Sequence, residues 1–161
     1  MKIAVFSDVH DNLTRWNEAA EVIRKEKVAV GICCGDVTSR ETLFEISKSF
    51  KKLYLAYGNG DWQLSEIEGP MPKNVVAFKS FGAFELEGKK IAAVHNNRTA
   101  EGILESGIYD IIFYGHTHTP WEKRPKKTIM LNPGEIAGHY GPASFCIFDL
   151  STMKGSLRRL L

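Results

Sequence analysis

The first third of this chain alternates strand-length apolar runs with helix-spaced apolar positions, and that alternation restricts the fold more than any other feature. Lys2–Phe6 reads as a short buried strand, and Leu13, Trp16, Ala20 and Ile23 then fall on one face of a helix, with Asp11 or Asn12 placed to cap it. Residues 28–34 form the next apolar run. A second helix is predicted to carry Leu43, Ile46 and Phe50 on one face, with Ser39 as its cap, and residues 53–57 form a third strand. A β-α-β-α-β order of this kind implies parallel pairing through right-handed crossovers.

The remainder is richer in strands. Extended segments are expected at 75–78, 83–86 and 90–94, the last two joined by a Glu87-Gly88 turn. Thr99 is placed to cap a short helix running to Glu105 and ended by Gly107. Further strands are expected at 111–114, 121–123, 128–131, 143–149 and 156–160, the last pair flanking a turn at 151–155. A parallel half is thus joined to a mainly antiparallel half, a pattern that two packed sheets with helices outside would accommodate.

The chemistry-bearing residues fall where these strands end. Asp8 and His10 follow the first strand, Gly35-Asp36 the second, Gly58-Asn59 the third, His95 the run at 90–94, and Gly115-His116-Thr117-His118 the run at 111–114. Ligands in open α/β sheets bind outside the carboxyl ends of strands. In Asp8-x-His10 and His116-x-His118, alternate residues of an extended segment would point the same way and present two donors to one place. The donors are oxygen and imidazole nitrogen without thiolate, which suits manganese, iron, cobalt, nickel or zinc. Each piece alone has a plainer explanation. A lone Gly-Asp is a turn, Asn59-Gly60 is a hairpin signal, and His95 could be a satisfied buried histidine. The residues after Asn59-Gly60 do not alternate like a returning strand, and coincidence does not account for five such motifs at strand ends.

Length and composition narrow the remaining classes. The chain has 161 residues and a net charge of +2. That suits a single domain spanning 1–161, able to bury roughly two-thirds of its unfolded surface. The basic stretch Lys123, Arg124, Lys126, Lys127 is short and reads as a solvated turn, so nucleic acid is not an expected partner. Cys33, Cys34 and Cys146 show no metal-binding spacing and read as buried thiols in a reducing compartment. No apolar run approaches membrane-spanning length, and the start of the chain does not read as a signal peptide. A cytoplasmic location is expected.

The ordered set Asp8-x-His10, Gly35-Asp36, Gly58-Asn59-x-Asp61, His95 and Gly115-His116-x-His118 resembles the calcineurin-like metallophosphoesterases, and the compact length resembles their small prokaryotic phosphodiesterase branch. The resemblance covers the chain to about Asn132. It implies a four-layer α/β/β/α sandwich with two packed mixed sheets and helices on the outer faces. It also implies a centre of two divalent metal ions, manganese first among the candidates. Asp8, His10, Asp36 and His118 would hold one ion, Asp36, Asn59, His95 and His116 the other, with Asp36 bridging. The activity so implied is hydrolysis of a P–O ester in a small-molecule phosphodiester by a hydroxide shared between the ions. The alternatives are a phosphomonoesterase and a non-catalytic protein-binding scaffold of the same fold, as in the small retromer subunit. A nuclease would call for a long basic and aromatic groove, which the sequence does not offer. A homo-oligomer is compatible with all of these.

Two departures from the family pattern stand out. A histidine that helps protonate the leaving group commonly follows the Gly-Asn of the third motif; here the position is Gly60. Asp61 is retained and is expected to orient neighbouring ligands. Asn132-Pro133-Gly134-Glu135 ends in glutamate where the small branch usually has serine, and the sequence assigns Glu135 no role. Asn97, Arg98 and His139 are further candidates: Arg98 for a phosphate oxygen, His139 for the missing acid. Loops at 65–74, 96–99 and 135–142 are expected to set specificity.

Overall fold

The computed structural model describes residues 1–62, 64 and 70–161. Its elements are β1 (Lys2–Phe6), α1 (Leu13–Lys25), β2 (Val30–Cys33), α2 (Arg40–Ser47), β3 (Lys52–Ala56), a 3-10 turn (Asn59–Asp61), β4 (Val75–Phe78), β5 (Phe81–Leu86) and β6 (Lys89–Val94). They continue with α3 (Asn97–Glu105), β7 (Ile111–Phe113), β8 (Trp121–Lys123), β9 (Ile129–Asn132), β10 (Ser144–Asp149) and β11 (Lys154–Arg159). Among the described residues no helix is long and apolar enough to cross a membrane.

Two mixed sheets form. The first has the order β11-β10-β1-β2-β3-β4 and the second β5-β6-β7-β9-β8. Strands β1 to β4 pair in parallel, and β10 closes on β1 in antiparallel register, Ile3 opposite Phe148 and Val5 opposite Cys146. In the second sheet β6, β7 and β9 are parallel, and antiparallel β5 and β8 form its edges.

Side chains alternate between the two faces of a strand, and this alternation divides the core into layers. Ala4, Phe6, Cys33, Phe145 and Ile147 point to α1 and α2, where they meet Trp16, Ile23, Leu43 and Ile46. Their neighbours Ile3, Val5, Ile32, Cys34, Cys146 and Phe148 point the other way and pack on Ile91, Ala93, Ile111, Phe113, Ile129 and Leu131 of the second sheet. The alternate residues Ala92, Val94, Ile112 and Met130 then face Ala100, Ile103 and Leu104 of α3. The result is the four-layer α/β/β/α sandwich. Both sheets are covered on both faces, which is why their central strands read as near-continuous apolar runs.

Several sequence expectations are corrected. Asn96, not Thr99, caps α3, its side chain accepting from the Arg98 and Thr99 amides at 2.8 and 3.4 Å. Of the two candidates for α1, Asn12 is the cap, accepting from Arg15 N at 3.1 Å. Asp11 instead accepts from the Ser39 and Thr42 hydroxyls, both at 2.6 Å, and ties the starts of α1 and α2 together. Ser39 caps α2 as expected. Phe50 lies beyond the end of α2, yet is buried and stacks on Phe6 at 5.9 Å. β11 starts at Lys154, inside the expected turn. The division into a parallel and an antiparallel half also gives way, because β10 and β11 join the first sheet and the second sheet is parallel at its centre.

All three cysteines are free and buried. Burial pushes the Cys146 thiol up to about 12 and raises those of Cys33 and Cys34 well above the usual thiol range. They are inert core residues.

Candidate metal centre

The carboxyl ends of β1, β2, β3, β6, β7 and β9 open on the same rim, and main-chain hydrogen bonds stitch their loops together. Asp8 N donates to Gly35 O, and Val9 N and His10 N donate to Asp36 O, at 2.9 to 3.0 Å. Ala137 N donates to Asp8 O and Gly115 N to His95 O, both at 3.0 Å. The rim is therefore one cross-linked platform.

Glycines allow the close approach. A Cβ built on Gly58 would lie 2.2 Å from Asp36 Oδ1 and 2.6 Å from Asp36 N. Gly58→Ala must displace the Asp36 loop. Its expected cost is about 1–3 kcal/mol of stability, read from the midpoint of urea unfolding, together with weakened divalent-cation uptake. Unchanged values for both would mean that the loop yields freely.

The backbone here is unusual. Asp8, His10, Asp36, His116 and His118 all adopt positive φ, between 45° and 67°. Non-glycine residues in this region cost about 1–2 kcal/mol each and persist where the surroundings over-determine them, most often at functional sites. This corrects the extended geometry expected for the two His-containing pairs. Left-handed turns bring His10 Nε2 to 3.7 Å from Asp8 Oδ1. The two histidines of the last motif part company: His118 Nε2 lies 3.3 Å from Asp8 Oδ1, whereas His116 Nδ1 lies 3.2 Å from His95 Nε2.

Asp8 and Asp36 are each anchored through one oxygen by a main-chain amide, and the other oxygen faces imidazole nitrogens. Asp8 is fully buried; its Oδ2 accepts from His116 N at 3.1 Å, while Oδ1 has no hydrogen-bond partner. Asp36 Oδ1 accepts from Gly60 N at 2.7 Å. Its Oδ2 sits between two imidazoles, 3.6 Å from His10 Nε2 and 3.5 Å from His95 Nε2. Buried His10 Nε2 is likewise unpartnered. Asp61, also fully buried, accepts from Asp36 N, Thr38 N and Gly58 N, each at 2.8 Å, and so fixes the main chain that carries Asp36 and Asn59.

Tautomers follow from the partners. His95 Nδ1 faces Cys34 O at 2.7 Å, and a carbonyl can only accept, so that nitrogen carries the proton. In the neutral ring Nε2 is then the ligand atom, and it lies 3.0 Å from Asn59 Oδ1 and 3.2 Å from His116 Nδ1. His118 Nδ1 faces Glu135 Oε2 at 2.7 Å, which turns its Nε2 toward Asp8. Ligand-competent oxygen and nitrogen atoms thus point at common space, two of them, Asp8 Oδ1 and His10 Nε2, buried without a partner, as a donor set for cations does and a self-satisfied polar core does not. Two groups have ligand atoms within 4.8 Å of one another: Asp8, His10 and His118, and Asp8, Asp36 and His95.

The electrostatics agree. Burial alone would raise the Asp8 carboxyl, but His10, then His95, Ser7 and His118 outweigh it and hold it below the usual aspartate value. His10 is raised, chiefly by the Asp8 carboxylate beside it, against the opposing effect of burial. Burial lifts the Asp61 carboxyl despite its three amide donors.

The structure brings Asp8, His10, Asp36, Asn59, His95, His116 and His118 to one place, with Asp61 behind them. An open cleft over them is lined by His10, Asp36, Asn59, His116, Thr117, His118, His139 and Tyr140. His139 is therefore at the site, its ring centroid 5.5 Å from that of His10. Arg98 is exposed at the start of α3 and does not line the cleft. Of the expected specificity loops, 135–142 lines the cleft, 96–99 opens α3, and 65–69 lie outside the described residues. Sequence reading missed two residues here, Tyr140 and Glu135. No local signal marked Glu135, which follows a turn-like Asn132-Pro133-Gly134 stretch.

Fold and donors together place the chain among the α/β proteins that gather oxygen and imidazole ligands at strand carboxyl ends. The chain belongs to the calcineurin-like phosphoesterase superfamily, whose domain matches residues 1–153. A phosphodiesterase of Methanocaldococcus jannaschii is 29% identical over 145 residues, 86% of each chain. The solved structure of an archaeal phosphodiesterase superposes with a TM-score of 0.89 at 27% identity, over 99% of this chain and 100% of that one. Vacuolar protein sorting 29 of Cryptosporidium parvum shares the fold, with a TM-score of 0.73 at 21% identity, over 99% of this chain and 96% of that one.

Proposed function

We propose that this protein is a single-domain, cytoplasmic phosphodiesterase that works with two divalent cations. Asp8, His10, Asp36 and His118 hold one, and Asp36, Asn59, His95 and His116 the other. The observation that carries this reading is the convergence of oxygen and imidazole ligand atoms on either side of Asp36 Oδ2, which faces His10 and His95 at nearly equal distances. Among the oxygen- and imidazole-binding metals, manganese is the first candidate, with nickel, iron, cobalt and zinc as alternatives. Bound there, the cations supply Lewis acidity, acidifying water and neutralising charge on the phosphoryl oxygens.

The chain's own residues do the rest. Asp61 and Gly60 N hold Asp36 in place before any ligand arrives, so little reorganisation accompanies binding. Tyr140 and His139 wall one side of the cleft and present ring surface to an ester group. No lysine or arginine lines the cleft among the described residues. A terminal phosphate dianion calls for such a clamp, whereas the single negative charge of a diester does not. The charge pattern and the phosphodiesterase relative therefore favour a diester. The retained donor set favours an enzyme over a pure scaffold.

The test is hydrolysis of bis(p-nitrophenyl) phosphate with manganese, after chelation, and after manganese is restored, with p-nitrophenyl phosphate in parallel. The expected result is metal-dependent cleavage of the diester, lost on chelation, recovered on restoration, and faster than monoester cleavage. Faster monoester cleavage would make the protein a phosphomonoesterase. Bound cations without hydrolysis of either would favour the scaffold.

A further inference from the structure

We propose that Glu135 is a positioning residue that sets the His118 imidazole for cation binding and, with the same carboxylate, holds the His139–Tyr140 wall against the site. This deepens the functional reading above and rests on it.

Glu135 follows β9 and is fully buried, yet no lysine or arginine meets it among the described contacts. Four donors converge on its two oxygens. Oε2 takes His118 Nδ1 at 2.7 Å and His139 N at 2.9 Å. Oε1 takes Tyr140 N at 2.7 Å and Gly141 N at 2.8 Å. A carboxylate buried at such cost persists because it is saturated by donors.

The two halves of this arrangement do different things. Toward His118, the carboxylate selects the tautomer with the proton on Nδ1. That leaves the Nε2 lone pair directed at Asp8 Oδ1, 3.3 Å away. A carboxylate behind a ligating histidine fixes the ring and raises its basicity, and removing such a partner typically costs 10–100-fold in metal affinity. Toward the loop, the same group collects three consecutive amides, so residues 139–141 wrap around it. Tyr140 is thereby set edge-on to His118, with ring centroids 4.8 Å apart at 80°, and His139 lies beside His10. Tyr140 is nonetheless 83% exposed. A ring so accessible over a polar cleft, with its backbone fixed from below, is placed to meet a ligand rather than to fill a core. Neutral serine at position 135 could not reach His118 and three amides together. One residue thus couples the geometry of a cation ligand to the geometry of the substrate wall.

The test uses the full chain, titrated calorimetrically with manganese, with bound metal counted by elemental analysis and steady-state kinetics on bis(p-nitrophenyl) phosphate. E135Q keeps the size of the side chain but turns an NH2 group toward donors. It is expected to lower the affinity of one cation about 10–100-fold, leave the other nearly unchanged, and raise KM. Y140A removes the ring and keeps the carboxylate, so it is expected to raise KM with both metal affinities unchanged. E135Q that binds both cations like the wild type overturns the proposal, as does a change confined to KM or to thermal stability. Should E135Q fail to fold, as judged by circular dichroism, E135D carries the test. It keeps the charge but is too short to span both sets of donors, and wild-type metal affinity in that variant overturns the proposal equally. A wild-type chain that takes up no cation would sink the functional reading itself. Two cations in the wild type and no effect at Glu135 would sink this inference alone.

Discussion

Asp36→Ala is expected to lower manganese-dependent diester hydrolysis by on the order of 10³-fold or more, and to reduce bound metal from two ions per chain toward none. The size of the effect follows from position. Asp36 is 3% exposed, and its Oδ2 lies between the imidazoles assigned to different ions. Every other proposed ligand serves one ion, so the matching control is His118→Ala, which should weaken one site and spare the other. The fold should survive in Asp36→Ala, because the side chain's hydrogen bond among the described residues is to Gly60 N at the rim. Elemental analysis and kinetics on the folded variant decide the matter. Full metal-dependent activity in Asp36→Ala would show that the ligand assignment is wrong.

What the sequence made legible divides along physical lines. Elements whose patterning is local were readable. β1 and β6 are apolar runs bounded by polar residues, and the Glu87-Gly88 hairpin announces itself by composition. The parallel pairing of β1, β2 and β3 was also readable, from the alternation of strands and helices. Sheet membership beyond these strands was not, because apolar runs do not say which neighbour they pair with. β10 inserts beside β1 although most of the chain lies between them, and the parallel centre of the second sheet is joined by α3 and by one excursion through β8. The cap of α3 went to Asn96 rather than Thr99 because both residue types cap well and the helix starts at Asn97, which residue type alone does not fix. The donors of the candidate site were legible as residue types at strand ends. Their geometry was not. Positive φ at Asp8, His10, Asp36, His116 and His118 is disfavoured by the backbone preferences of those residues and is imposed by hydrogen bonds between loops distant in sequence. Glu135 was overlooked for the same reason: its four partners come from two segments that only folding brings together.

The second large effect expected is a steep dependence on the leaving group. Family members commonly carry a proton-donating histidine at the position of Gly60, and a positioned general acid contributes about 10²–10⁴-fold. Here Gly60 offers only its main-chain N–H, which is already given to Asp36 Oδ1 at 2.7 Å. Space is also short, since a Cβ on Gly60 would stand 3.1 Å from both Asp36 Oδ1 and Thr38 Cγ2. An aryl leaving group departs as a stabilised anion and needs little protonation, whereas an alkoxide does need it. Cleavage of an alkyl phosphodiester should therefore fall below that of an aryl diester of similar size by a further factor of about 10²–10⁴ beyond that seen in a relative that retains the histidine. His139 is the one cleft imidazole outside the proposed ligand set, and it provides the internal check. If it donates the proton, His139→Ala slows alkyl ester cleavage and leaves aryl ester cleavage alone. Equal slowing of both, or of neither, assigns His139 to the cleft wall. An alkyl-to-aryl ratio matching that of the histidine-bearing relative, unchanged in His139→Ala, would mean that departure of the leaving group needs no side-chain acid at this site.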